Sequence, residues 1–290
     1  MENQSFPLKE INAMDSMRVL VRGRGLVESP RWHDDRWYVS DWSAGEVFTV
    51  DGDGAVEVVA RVKSLPLCTA FDPSGRLVVA SSAEGRLLIC EPDGTTSDYA
   101  DLGHPGWNEI VIDGRGNAYV NGAGFDPATG EFTPGGVVLV RTDGTVRPVA
   151  EDIAFPNGMA ITPDNATLIV ADSHRGCLLA FDIAGDGTLA GRRVWADLGD
   201  AAPDGICLDA AGAVWYADVP NRRCVRVAEG GAVRDTIALD RGGFACALGG
   251  PNGTTLCVVG AEFRSMSEGV SPGSGQVMTV EVEVPGAGWI

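Results

Sequence analysis

Positive charge is what this chain is shortest of: 22 Lys and Arg stand against 40 Asp and Glu in 290 residues, a formal net charge of −18. Nucleic-acid binding needs a basic stripe to hold phosphates, so no DNA or RNA partner is expected. The same deficit argues against an anionic membrane surface. Long apolar runs are missing as well; nothing approaches the ~18 consecutive residues of a bilayer-spanning helix. The stretch from Met1 to Leu20 is polar and mixed in charge, without the basic-then-apolar layout of a secretory leader, and a cytoplasmic location is expected. Histidine is scarce, with His33, His104 and His174 too scattered to build a metal centre between them. Paired cysteine spacing is absent too: the seven cysteines are odd in number and include no C-x-x-C. Most sit in apolar runs such as Leu87-Leu88-Ile89-Cys90 and Leu256-Cys257-Val258-Val259, as buried reduced thiols do.

Helical periodicity is also lacking, and the chain reads as all-β. Short runs rich in Val, Leu, Ile, Trp and Tyr are broken about every eight to twelve residues by turn clusters. Asp51-Gly52-Asp53-Gly54, Asp72-Pro73-Ser74-Gly75 and Thr142-Asp143-Gly144 are examples. Six segments share one plan and begin at Glu28 (ESPRWH), Leu67 (LCTAFD), Asn108 (NEIVID), Asn157 (NGMAIT), Asp204 (DGICLD) and Phe244 (FACALG). Their spacings are 39, 41, 49, 47 and 40 residues. A period of about 40–50 residues holding about four strands is a propeller blade, so a six-bladed β-propeller is predicted. Repeat six supplies three strands of its own, and Val19-Leu20-Val21 is positioned to add the fourth, tying the two ends of the chain into one blade. Residues 1–16 read as a tail, and 17–290 as one propeller domain.

The first strand of each blade lines the central channel, which brings the six segment-opening residues to one mouth. Four of them, Glu28, Asn108, Asn157 and Asp204, carry side-chain oxygens, while Leu67 and Phe244 are apolar. Carboxylates converging on one axis repel, and a cation between them resolves the conflict. Oxygen-only ligands point to one hard divalent ion, with Ca²⁺ favoured and Mg²⁺ or Mn²⁺ as alternatives. Zn²⁺ is a weaker alternative for want of His or Cys at these positions. The competing reading is that Asn157-Gly158 and Asp204-Gly205 are ordinary turns.

Glu28-Ser29-Pro30-Arg31-Trp32, Trp107-Asn108-Glu109-Ile110-Val111-Ile112-Asp113, Phe155-Pro156-Asn157-Gly158-Met159-Ala160, Ala171-Asp172-Ser173 and Pro203-Asp204-Gly205-Ile206 occur in that order. In this the chain resembles the senescence marker protein 30/gluconolactonase family over residues 19–284. The resemblance implies a six-bladed propeller with a single metal site in its channel, acting on a small-molecule substrate. It implies hydrolysis of lactones or, in some members, of other esters or organophosphates. By the same resemblance Glu28, Asn157 and Asp204 are the metal ligands, Asp204 is also the catalytic acid/base, and Asn108 holds substrate beside the metal. The chain departs from the sugar-lactonase pattern at Gly106, where those members carry Arg, and at Glu109, where they usually carry Asp. A lost guanidinium followed by the indole of Trp107 suggests a less polar substrate than an aldonolactone.

The insertion from Gly122 to Gly136 carries Phe125 and Phe132, which with Trp107 are expected to build an apolar wall at the mouth. His174, after Asp172-Ser173, is a further candidate for substrate contact. Asp41, Asp172 and Asp218 end comparable strands, either as strand-end caps or as partners of the site. Gly269-Val270-Ser271-Pro272-Gly273 matches G-x-S-x-G without a strand-to-helix elbow and reads as a loop. No nucleotide-binding loop is present. Beside hydrolysis stand two alternatives: a metal-containing propeller that only binds a small molecule, or one that catalyses a non-hydrolytic isomerisation or cyclisation.

Overall fold

The computed structural model describes residues 17–104, 106–128 and 130–288; the expected tail, residues 1–16, lies outside them. Every regular element among the described residues is a strand, and no helix is long and apolar enough to cross a membrane. Six four-stranded antiparallel sheets follow one another around a ring, the six blades of a β-propeller. Their inner strands are Val27–His33, Leu67–Phe71, Trp107–Ile112, Pro156–Ile161, Pro203–Leu208 and Gly242–Gly249. Each inner strand packs against that of the next blade, and the first against the last, so the ring closes.

In the sixth blade the strand order from the outside inwards is Arg18–Arg24, Gly275–Glu281, Thr255–Ala261, Gly242–Gly249. The N-terminal strand thus covers the edge that Gly275–Glu281 would otherwise present.

Alternation along the strands sends apolar side chains to both faces of each blade. The core is accordingly divided into six clusters, one between each pair of neighbouring blades. Hairpin turns on the rear face follow a common chemistry. An Asp side chain accepts backbone N–H groups across the turn, as Asp72 does from Ser74 and Arg76 and Asp113 from Arg115 and Asn117. A glycine then closes it in the left-handed region, φ 83° at Gly75 and 84° at Gly116, where a Cβ would be strained.

The rear of the channel is closed by the C-terminal segment. The Ala287 N–H donates to the Leu208 carbonyl, and Gly286 bridges to Asp209. Under this cap lies a largely apolar cavity of about 180 Å³, lined among others by Trp32, Met159, Ile206 and Leu248. The titratable carboxylates of the channel sit at the opposite end.

Candidate metal centre and channel mouth

The ladder itself aims the polar side chains inward. In five blades the inner strand slips register near its start: between Glu28 and Arg31, Trp107 and Glu109, Pro156 and Met159, Pro203 and Ile206, and Gly243 and Ala245. Such irregularities turn a side chain out of its normal alternation. The second blade pairs regularly from Leu67 to Phe71, and Leu67 is fully buried between blades one and two. Asn157-Gly158 and Asp204-Gly205 lie inside inner strands, and neither glycine has a positive φ, so the turn reading of both pairs fails. These glycines serve close approach instead. A Cβ on Gly158 would strike the Asp204–Ile206 backbone, and one on Gly205 would strike Ala245.

Glu28, Asn108, Asn157 and Asp204 come together at the mouth. Asn108 Nδ2 donates to Asn157 Oδ1 at 3.0 Å, and Asn157 Nδ2 to Ser173 Oγ at 3.3 Å. Asp204 accepts from the Asn157 side chain and from the Gly205 N–H. Glu28, 5% exposed, accepts the Ser29 N–H at 3.0 Å, with Ser29 held at φ 49°.

Below them lies a group that spacing did not single out. Arg31 Nη2 donates to Glu109 Oε1 at 3.1 Å and to the Ile110 carbonyl at 3.2 Å; its Nη1 donates to the Pro30 carbonyl at 2.9 Å. Glu109 Oε1 also accepts the Ile110 N–H at 2.8 Å and the Ser29 hydroxyl at 3.4 Å. The cue was present in the sequence, as a charged pair on two inner strands otherwise apolar beyond the mouth.

These charges are out of balance. Burial, then the Asp204 and Glu109 carboxylates, hold the Glu28 carboxyl well above its usual range. Burial and Glu109 do the same to Asp204, and burial raises Glu109 against the pull of Arg31. Three carboxylates share one guanidinium, and it is bound to Glu109; among the described residues no cationic side chain bonds Glu28 or Asp204. Asn121, on the second strand of blade three, gives its Nδ2 to the Asn157 carbonyl while its buried Oδ1 has no partner. This donor set of two carboxylates and amide oxygens is that of a hard cation. The described residues hold no cluster of three or more His, Cys, Asp or Glu that could take a metal, so a cation between the two carboxylates would also need neutral oxygens, which the Asn amides can offer. Asn157 here turns its NH₂ to Asp204 and its Oδ1 to Asn108; as a ligand its amide would face the other way, with Asn108 following.

The remaining candidates divide. Trp107 is 6% exposed, lies in the core between blades two and three, and stacks on His104 with centroids 4.7 Å apart. Among the described residues no ring contact joins it to Phe125 or Phe132, so the wall expected from the three splits in two. Phe125 and Phe132 instead gather with Phe155 and His174. His174 stacks on Phe155 at 4.7 Å and on Phe132 at 5.8 Å, and Phe125 meets Phe132 edge-on at 5.5 Å. Phe155 and His174 flank Asn157 and Ser173, which sets this cluster on the rim. Asp41, Asp172 and Asp218 are strand-end caps. Asp172, for instance, accepts the Ala154 and Phe155 N–H groups and so fixes the approach to Asn157. Ser271 opens a turn in blade six, its carbonyl accepting the Ser274 N–H and its Oγ accepting from Arg264.

Residues 26–262 match the family model described as SMP-30/Gluconolactonase/LRE-like region. A curated 6-deoxy-6-sulfogluconolactonase from Pseudomonas putida is 26% identical over 292 residues, covering 94% of this chain and 97% of its own length. A luciferin-regenerating enzyme has a similar solved structure, with a TM-score of 0.79 at 20% identity over 93% of this chain and 96% of that one. The calcium-binding protein regucalcin from Agrobacterium tumefaciens gives 0.78 at 20%, over 93% and 94%. At such identities the two solved structures speak for the shared fold.

Proposed function

We propose that this chain, which belongs to the SMP-30/gluconolactonase/LRE-like family, is a divalent-metal-dependent hydrolase that opens a lactone or related cyclic ester at the channel mouth. The observation that carries the reading is the convergence of Glu28, Asn108, Asn157 and Asp204, from four different blades, on a mouth whose two carboxylates are bonded by no cationic side chain among the described residues. The lactonase named among its relatives supports the reaction type, and the calcium-binding neighbour supports the kind of ion.

Glu28, Asn157 and Asp204 would hold the ion, calcium by preference, and when bound it supplies a Lewis acid that polarises the ester carbonyl and stabilises the developing oxyanion. Asn108, beside Asn157, orients the substrate through its amide. Asp204 moves a proton between the attacking water and the leaving alkoxide. A carboxylate facing a cation is a weak base, so its share of the acceleration is secondary. Ser29 links the site to its support: its N–H steadies Glu28, and its hydroxyl rests on Glu109, which Arg31 holds in place.

The test is elemental analysis of the purified protein, followed by a lactone and ester screen with and without chelator. Asp204→Ala is expected to lose bound metal and turnover together. Hydrolysis at the full rate by a metal-stripped sample would overturn the proposal.

A further inference from the structure

Alternation along two neighbouring inner strands brings a pair of thiols together towards the rear of the channel. In Pro203–Leu208, Ile206 turns into the core between blades four and five, so Cys207 turns the other way, towards blade six. In Gly242–Gly249, Ala245 and Ala247 face blade one, and Cys246 between them faces blade five. The two sulfurs meet at 3.9 Å. Cys246 Sγ also points at the Trp215 and Gly205 carbonyls, at 3.5 and 3.6 Å, as a weak donor. All seven cysteines are free thiols.

Cys207 and Cys246 also line the cavity under the C-terminal cap, where Trp32, Ile206 and Leu248 are among the apolar walls. Its volume of about 180 Å³ exceeds the roughly 150 Å³ of an apolar cavity that takes up benzene. The roof is held by main-chain bonds: the Ala210 N–H donates to the Pro285 carbonyl at 2.8 Å, and the Ala287 N–H to the Leu208 carbonyl at 3.1 Å. This segment follows Gly275–Glu281, the last strand of the ring, so lifting it opens the cavity without parting a blade.

Burial pushes both thiols well above their usual range. Protonated thiols are slow with oxidants and alkylating agents, which need the thiolate. A reagent that carries off the proton as it binds, and that takes two sulfurs side by side, suits them better. The described residues hold no cluster of three or more His, Cys, Asp or Glu for a metal ion, but a bridge between two sulfurs needs only the pair.

From the paired sulfurs and the apolar space beside them we propose that Cys207 and Cys246 form a binding site for a trivalent arsenical carrying a small apolar group, RAs(OH)₂. Arsenic bridges the sulfurs and R lies in the cavity. Two As–S bonds form, two As–OH bonds break, and each hydroxide leaves as water with a thiol proton; no electron is transferred. The site is separate from the mouth and rests on nothing in the hydrolase reading.

The test treats the full chain with one equivalent of phenylarsine oxide, which water hydrates to the dihydroxide, and reads the intact mass of the folded protein. The expected result is one phenylarsenic unit per chain, with two of the seven thiols lost to titration and recovered on adding ethanedithiol. Peptide mapping of the native adduct should place arsenic between the peptides of Cys207 and Cys246, a readout that needs no variant. Cys207→Ala and Cys246→Ala should each weaken uptake at least about tenfold, since one arm of a two-armed bridge is lost. Cys224→Ala and Cys257→Ala should keep it. Leu248→Phe narrows the cavity and should weaken the phenyl compound about threefold or more while leaving methylarsonous acid unchanged. No adduct on the folded protein, or one mapped to other cysteines, would overturn the site. Equal losses of the phenyl and methyl compounds in Leu248→Phe would overturn the cavity's part in it.

Discussion

Removing the guanidinium beneath the site tests how the channel tolerates its own charge. In Arg31→Met the Glu109 carboxylate keeps the Ile110 N–H and the Ser29 hydroxyl but loses the Arg31 guanidinium, its one cationic partner among the described residues, and the Pro30 and Ile110 carbonyls lose a donor. Both members of the pair are nearly enclosed, with side-chain exposures of 10% and 7%. Breaking such a pair from one side costs about 3–5 kcal/mol, because a buried charge is left uncompensated. At roughly 2 °C per kcal/mol in a chain of this size, Tm should fall by about 6–10 °C. Arg31→Met/Glu109→Leu removes both charges and should regain most of that loss, giving a coupling of about 2–3 kcal/mol in a double-mutant cycle. The cycle is read by urea denaturation, with calorimetry as a second measure. Function separates from stability in the same variants. Without Glu109 the Ser29 hydroxyl loses its support and the strained Ser29 no longer fixes Glu28, so the double variant should fold well yet hold calcium more weakly than the native protein. Additive single-site losses would refute the electrostatic account, and native calcium affinity in the double variant would refute the link through Ser29.

A cation at 100 times its Kd should add about 2.7 kcal/mol by linkage, roughly 5 °C in Tm; a chelated protein that melts at the same temperature with and without calcium counts against the site. Acid should unfold the rear turns first. The Thr95 and Thr162 hydroxyls hold the Asp93 and Asp164 carboxyls below their usual range, and the Thr145 N–H does so for Asp143. Groups depressed on folding stabilise above the unfolded pKa of about 3.9 and lose that contribution as pH falls through their lower folded values. A Tm that drops increasingly below pH ~4 is therefore expected, and a flat profile from pH 5 to pH 2 would contradict it. Deleting the chain through Arg24 uncovers the Gly275–Glu281 edge; light scattering should find aggregates, and a monomer of native Tm would sink the closure argument.

The ring was legible because its repeat is written at constant phase. Glycines and aspartates mark the rear turns, apolar alternation marks the blade faces, and segment openings about 40–50 residues apart mark the inner strands. Phase alone misjudged Leu67. The residue has the right position, but its strand pairs without a slip, so alternation carries the side chain into the core between blades rather than into the channel. Register irregularities of one or two residues leave no periodic trace, and they separate a channel residue from a core residue at the same phase. Trp107 shows the converse. It stands next to Asn108 in sequence, and adjacency on a strand sends neighbours to opposite faces, here into the core beside His104.

What phase could not reach were the partners that hold the four floor residues. Asn121 and Ser173 lie on or just beyond second strands, and Arg31 and Glu109 meet across the channel from blades one and three. Their sequence separations follow from where the ring brings strands together, not from any spacing within a repeat. Charge offered a route that periodicity did not. Inner strands deep in a channel carry ionised groups only when something neutralises them. Arg31 and Glu109 are such a pair below the mouth, so each predicts the other once both strands are known to line one channel. The same reasoning applied to Glu28 and Asp204 finds no cationic partner among the described residues, because the guanidinium is already bound to Glu109. A buried acidic pair with no cationic side chain bonded to it is what the proposed cation would balance. That inference needs only the fold and the charges, and it would stand had no relative been known.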